Sequence, residues 1–478
     1  MVVGELTQER DVIVIGGGPG GYHAAIRAAQ LGQQVTIIEK NKLGGVCLNE
    51  GCIPSKVHTT AAQSFQRMGP FQQLGLDTSG VTFDLPRLQD HKQKVVEQLL
   101  QGVVALCKAN KIEIKEGEAS FISATKIGVE NGHQYDTFTF NDVIIASGCN
   151  KKPIAEMHHH ALTPTSIWNL EELPSELILY GNDDFTLEAA TTFNSLGSKV
   201  TLVLPPGQHD FTFDPSINKE LQRQLKKQKI KLYKTDTTPQ FKFYENQWEV
   251  TFEHGKNESV ILESSHLYCA EERNPVTESL GIQRAGIHLC EEGFIKINEA
   301  CRTNIASIYA IGDITEGPAL AVKAIKQGKV AAENIVGHHS EFDLTFLPRI
   351  VQTIPPIATV GMTETAAIEN GFEVKVGEST LQTNGYASIL GQKEGFSKTV
   401  TDAKTEMVLG IHMMGAQAVD MISTGTLALE MVARQEDLLF PSYPHPSVNE
   451  SMWESVEDVE GKAIHKVPKV TKQKVTSS

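Results

Sequence analysis

The stretch from Asp11 to Glu39 constrains the fold of this chain more than any other. An apolar run, Asp11-Val12-Ile13-Val14-Ile15, leads into Gly16-Gly17-Gly18-Pro19-Gly20-Gly21. An Ala-rich helical segment follows from Tyr22 to Leu31, and a second apolar run, Val35-Thr36-Ile37-Ile38, ends on Glu39. Gly16, Gly18 and Gly21 carry the G-x-G-x-x-G spacing, and Glu39 stands 18 residues beyond Gly21. A strand, a glycine turn, a helix and a strand ending on an acid form a dinucleotide-binding βαβ unit. The glycines let backbone amides approach a pyrophosphate at the helix N-terminus, and the acid accepts a ribose hydroxyl.

The rest of the composition bounds what surrounds this unit. A length of 478 residues predicts about three domains. With 40% hydrophobic and 21% charged residues, wholesale disorder is excluded. A net charge of −15 argues against nucleic acid or an anionic membrane as partner. No apolar run reaches the roughly 18 residues of a spanning helix. The first ten residues lack the basic start and apolar run of a signal peptide, so a cytoplasmic location is expected.

The 7 cysteines are too few, and odd in number, for a disulfide scaffold. Five stand singly, but Cys47 and Cys52 lie five apart in Gly44-Gly45-Val46-Cys47-Leu48-Asn49-Glu50-Gly51-Cys52-Ile53-Pro54-Ser55-Lys56. In a continuous helix such residues have Cα atoms about 8–9 Å apart, beyond the roughly 7 Å limit of a disulfide. A bridge therefore requires a distorted turn, which Gly51 and Pro54 can supply. A strained, accessible bridge is the kind that undergoes exchange. No second cysteine pair lies nearby to complete a zinc site. His158-His159-His160 reads as a solvated loop, so no metal is expected.

Farther on, residues 57–112 read as largely helical with an irregular stretch near Pro70–Pro86, and 112–146 as short strands, among them Thr137–Phe140 and Val143–Ala146. A second βαβ begins at Leu177-Ile178-Leu179-Tyr180-Gly181, with a helix over Leu187–Leu196 and a strand over Val200–Leu204. Its glycine positions after Gly181 read Asp183 and Thr186, and its strand ends on Leu204 where an acid belongs. Strands follow from Lys229 to Tyr268, then the strand-ending Ile311-Gly312-Asp313 and a helix over Gly317–Ile335. The last 13 residues, with four lysines and no acid, read as a flexible tail.

Together these features resemble the FAD-dependent pyridine nucleotide-disulfide oxidoreductases, end to end, and among them the dihydrolipoamide dehydrogenase group. Gly117-Glu118-Ala119, Ala146-Ser147-Gly148 and Ile311-Gly312-Asp313 resemble the family's flavin-domain motifs. Val360–Glu364, Asn384-Gly385 and His445-Pro446-Ser447-Val448-Asn449-Glu450 resemble its interface domain. No cysteine lies beyond Cys301, unlike the C-terminal pair of mercuric reductase.

The resemblance implies an α/β fold with two three-layer Rossmann-like dinucleotide-binding domains and a C-terminal α+β dimerisation domain. The expected division is 1–150 and 273–345 for an FAD domain in two parts, 151–272 for a degenerate NAD-like domain, 346–465 for the dimerisation domain and 466–478 for the tail. It implies Cys47 as interchange thiol, Cys52 as the thiolate facing the flavin, and His445 as acid/base oriented by Glu450. Gly16, Gly18, Gly21, Glu39, Lys56, Ala119, Gly148 and Asp313 would hold FAD, and Gly181 and Glu188 would stand at an NAD site, with Glu188 paired to Lys56. The histidine comes from the other subunit in the family, which implies a homodimer.

The implied reaction is oxidation of a dihydrolipoyl group or other small dithiol, such as one carried on a 2-oxoacid dehydrogenase complex, through the Cys47–Cys52 disulfide and FAD to NAD. The departures cluster in one domain. Besides Asp183, Thr186 and Leu204, the segment usually similar to Gly-Arg-x-Pro-Asn reads Glu272-Arg273-Asn274-Pro275-Val276. The resemblance implies NAD and the residue chemistry opposes it. One alternative is therefore a flavin dithiol oxidoreductase that uses another acceptor, and another is a non-enzymatic FAD-bearing binding protein.

Overall fold

A computed structural model describes residues 7–155, 160–208, 210–255 and 258–467. His158, His159 and all of the Lys-rich tail beyond Val467 lie outside the described residues. The chain divides into two compact units. One comprises residues 1–58, 84–173 and 267–344, and the other 59–83, 174–266 and 345–478.

The first unit is organised by a sheet in the order β3-β2-β1-β6-β5-β4, formed by β1 (Thr7–Ile15), β2 (Val35–Glu39), β3 (Glu113–Glu116), β4 (Glu118–Ser123), β5 (Lys126–Asn131) and β6 (Gln134–Ile145). β1 pairs in parallel with β2 and β6, and the strand Ile308–Ala310 adds in parallel to the far end of β6. The two short strands expected over 137–146 are one continuous strand. One edge pairs in parallel with β1 over residues 137–145, while the other pairs antiparallel with β5 in its N-terminal part and parallel with Ile308–Ala310 in its C-terminal part.

Alternation along β1 explains why this sheet is buried on both faces. Val12 and Val14 pack against α1 (Pro19–Gln30), while Ile13 and Ile15 pack with Phe121, Ile127 and Phe138 on the other side. Parallel strands covered on both faces read as continuous apolar runs rather than alternating ones.

The second unit holds a parallel sheet of β8 (Glu176–Tyr180), β9 (Lys199–Leu204) and β10 (Lys231–Lys234), with α5 (Asp184–Leu196) and α6 (Pro215–Lys227). It also contains an antiparallel sheet in the order 349–351, 357–361, 408–415, 395–402, 374–380. Helices Ala418–Glu430 and Glu450–Asp458 pack on that sheet through Ile411, Met421, Ile422, Val448, Met452 and Val456. The α5 helix starts three residues before the expected Leu187, because Asp183 caps it. No described helix is long and apolar enough to cross a membrane.

Candidate active site

In the first unit the glycine turn is shaped by hard contacts. A Cβ on Gly21 would stand 1.9 Å from the carbonyl oxygen of Gly16, and one on Gly16 would stand 2.3 Å from that of Ala146. Both positions therefore require glycine for the strand and helix to approach. Gly18 is different: the nearest atom to an added Cβ is Gly45 Cα at 4.0 Å, so packing alone does not demand glycine there. Gly18 is the N-cap of α1, with no side chain capping the helix. The first-turn amides and the space beside Gly18 thus form a cradle that suits a pyrophosphate.

Glu39 completes this turn. One carboxylate oxygen accepts from the Gly17 amide at 2.6 Å, and the other from the Asn41 amide at 2.8 Å. Its carbonyl accepts from Gly117 N at 3.0 Å, which brings Gly117-Glu118-Ala119 beside it, with Ala119 buried on β4. Parallel pairing of β6 with Ile308–Ala310 sets Gly148 and Asp313 beyond neighbouring strand ends. The Cys149 thiol donates to the Asp313 carbonyl at 2.8 Å. Burial pushes the Asp313 carboxyl up, against the nearby charges of Arg273, Lys323 and Lys151. These residues fit FAD: an uncapped helix end for the pyrophosphate, Glu39 for the ribose, and Asp313 for a hydroxylated chain.

The dithiol sits in the same unit. Gly44 and Gly45 have φ of 85° and 57°, and they open α2 (Gly45–Asn49), which carries Cys47. Asn49 Nδ2 ties that turn to the carbonyls of Leu43 and Gly45, each at 2.9 Å. The helix breaks at Glu50–Gly51 and restarts as α3 (Cys52–Phe71). This is the distorted turn the spacing required, and it brings the two thiols into hydrogen-bond contact. The bond to Cys52 and then burial hold the Cys47 thiol far above its ordinary range, with Lys56 opposing and Asp313 adding. Both cysteines are half-buried.

His445 and Glu450 lie in the second unit, and Nδ1 of His445 is 2.7 Å from Glu450 Oε1. Glu450 Oε2 accepts from the Ser447 amide at 3.0 Å, which fixes the carboxylate. Burial raises the Glu450 carboxyl, but the His445 and Ser447 donors outweigh it and hold it below its usual value. Glu188, buried on α5, accepts from the Gln352 amide at 2.8 Å.

At the second βαβ the donors are already taken. Asp183 is the N-cap of α5, and its carboxylate accepts from the Thr186 amide at 2.7 Å. Burial pushes that carboxyl up, against the Thr186 hydrogen bonds. Gly181 follows the preceding strand, Thr186 is wholly buried, and Leu204 is buried with its carbonyl accepting from Thr235 Oγ1 at 2.8 Å. The residues present do not fit an NAD pyrophosphate and ribose in the manner of the first unit.

Three neighbours of the flavin-side motifs carry no signal in the linear sequence. Lys323 is buried and donates to the carbonyls of Thr315 and Glu316. Burial pulls its ammonium down to about 8, against the pull of Asp313. Burial pushes the Cys149 thiol up to about 12. Gln327 Oε1 accepts from the Gly312 amide at 2.8 Å.

Residues 10–328 match the pyridine nucleotide-disulphide oxidoreductase family, and residues 347–456 match its dimerisation domain. The chain is 36% identical over 471 residues to the dihydrolipoyl dehydrogenase of Geobacillus stearothermophilus, covering 98% of this chain and 100% of that protein. It is 33% identical to the dihydrolipoyl dehydrogenase of Haloferax volcanii, covering 97% and 99%. Among solved structures it superposes on LpdA from Mycobacterium tuberculosis with a TM-score of 0.84 at 23% identity, covering 94% and 99%. The flavoprotein disulfide reductase RclA from Escherichia coli gives 0.83 at 24% identity with the same coverage. The cradle at Gly18, the thiol pair and these matches over nearly the whole chain lead to one conclusion: the chain belongs to the pyridine nucleotide-disulphide oxidoreductase family.

Proposed function

We propose that this protein is a flavin-dependent dithiol oxidoreductase that oxidises a dihydrolipoyl-type dithiol, as the dihydrolipoyl dehydrogenases it resembles do. The observation that carries the reading is the Cys47–Cys52 contact across a broken helix, in the unit that also holds the glycine cradle.

A substrate thiolate attacks Cys47 Sγ of the oxidised pair, and Cys52 leaves as a thiolate. His445 takes the proton of the second substrate thiol, which then attacks the mixed disulfide and releases Cys47. The substrate departs as a disulfide, and its two electrons stay on the cysteine pair. FAD, when bound, supplies a two-electron acceptor for that pair. Gly16, Gly18, Gly21, Glu39, Lys56, Ala119, Gly148 and Asp313 are assigned to hold it. Glu450 orients the His445 ring through the Nδ1–Oε1 contact.

The dimerisation domain is present, and a homodimer is the proposed working form, in which the His445 serving one dithiol belongs to the other copy. Two features support this. The His445 side chain is 81% exposed in the single chain. The C-terminal region also exposes Leu427, Met431, Val432 and Phe440, an unusual load of large apolar side chains.

Anaerobic addition of dihydrolipoamide tests the reading. Flavin reduction with a red-shifted thiolate–flavin band is expected, and a flavin spectrum that stays unchanged would exclude the proposed chemistry.

A further inference from the structure

The chain contains two βαβ units of the same design, and they can be compared position by position. Gly16, Gly18, Gly21 and Glu39 correspond to Gly181, Asp183, Thr186 and Leu204. The first helix presents uncapped amides beside a glycine. The second is closed by its own side chains.

We propose that the second unit excludes a dinucleotide from the N-terminus of α5, and that Asp183 is the excluding residue. Its carboxylate holds the Thr186 amide at 2.7 Å, one of the donors a pyrophosphate oxygen would use. This occlusion is steric and hydrogen-bonding in origin, so it holds whether or not the carboxyl carries a proton. Thr186 fills the position where the first unit tolerates no Cβ at all.

Further contacts close the same end of the sheet. Asp184 is gripped by Arg349, whose Nε lies 3.2 and 3.0 Å from its two carboxylate oxygens. Arg349 also donates to the Thr212 carbonyl at 2.7 Å and lies 4.1 Å over the Phe213 ring, so this guanidinium is committed. Asn182 Nδ2 donates to Gln208 Oε1 at 3.1 Å, linking the turn after β8 to the loop after β9. Those two loops border the crevice at the strand ends, where open α/β sheets take their nucleotides. No acid stands at Leu204 to receive a ribose hydroxyl.

The test uses the flavin-loaded protein. NADH is added anaerobically while flavin absorbance is followed, and its binding is measured in parallel by equilibrium dialysis. The expected result is no saturable NADH binding below about 1 mM and no flavin bleaching. The double variant Asp183→Gly/Thr186→Gly should bind NADH at least ~10-fold more tightly. Saturable micromolar binding of NADH to the unaltered protein overturns the proposal, whether or not the variant folds. Dihydrolipoamide added to the same sample separates the two readings. If it bleaches the flavin while NADH does not bind, both hold. If it fails, the dithiol chemistry falls and the dialysis result still decides this proposal.

Discussion

Nδ1 of His445 is held at 2.7 Å from Glu450 Oε1, and the same carboxylate is pinned from its other oxygen by the Ser447 amide. A carboxylate fixed by a backbone donor can orient an imidazole without moving itself. His445→Ala should slow dithiol-driven flavin reduction by about 10² to 10⁴-fold, the usual contribution of a positioned acid/base. Glu450→Ala should slow it less, since the imidazole keeps its chemistry and loses only the carboxylate that fixes its orientation. Stopped-flow rates read both effects, and an unchanged rate in Glu450→Ala would remove the orienting role.

The two cysteines should fail differently. Cys47→Ser leaves Cys52 as the only thiol of the pair, so the red-shifted band should be present without any reductant. Cys52→Ser should abolish that band under every condition. Both variants should lose dihydrolipoamide turnover, and full turnover in Cys52→Ser would defeat the disulfide route.

Gly21→Ala places a methyl 1.9 Å from the Gly16 carbonyl oxygen, an approach the backbone cannot keep. The variant should purify with little flavin, measured as the ratio of absorbance at the flavin band to that of the protein. Gly102→Ala, inside the helix Leu85–Ala109, has nothing within 4 Å of its added carbon and no positive φ, so it is the control and should retain flavin.

Lys398 and Asp214 form a buried pair at 2.9 Å, with side chains 1% and 0% exposed. Lys398→Met strands a buried carboxylate and should cost about 3–5 kcal/mol in urea unfolding. Asp214→Leu/Lys398→Met should recover much of that loss, because neither charge is then stranded. Equal instability of the single and double variants would show that the pair is not the cause.

Glu394 is raised by burial but pulled further the other way by Lys227, Gln224 and Arg223, which leaves its carboxyl at about 2. A folded-state value below the unfolded one gives stability above the ordinary carboxylate range, and this is lost as pH falls toward about 2. For a partly exposed cluster the gain is about 1 kcal/mol. The melting temperature of Glu394→Gln should lie below that of the unaltered protein at pH 7, and the gap should narrow by pH 3.

How much of this was legible in the sequence depended on how local each feature is. The βαβ unit at Asp11–Glu39 and the cysteine spacing are written within about thirty residues, so apolar runs and geometry suffice to read them. The start of α5 was misplaced because apolar periodicity begins at Leu187, whereas the helix is set by the Asp183 cap. The single long β6 reads as two strands because polar Asn141 and Asp142 interrupt its apolar run, although pairing with β1 continues across them. Buried Lys323 reads as one more polar residue of an amphipathic helix. The Arg349–Asp184 and Lys398–Asp214 pairs join residues 165 and 184 positions apart, and no local pattern announces them.

Those distant pairs change what counts as a separable part. The C-terminal segment matches a domain of its own between residues 347 and 456, yet its buried Lys398 is neutralised by Asp214, and its Arg349 closes on Asp184. Cut out or exchanged alone, the segment would keep the Lys398–Glu364 contact but would take the Asp214 carboxylate from Lys398 and the Asp184 carboxylate from Arg349. Recombination between relatives is therefore constrained to carry residues 184 and 214 along with it, and the heritable module is wider than the boundary drawn along the chain.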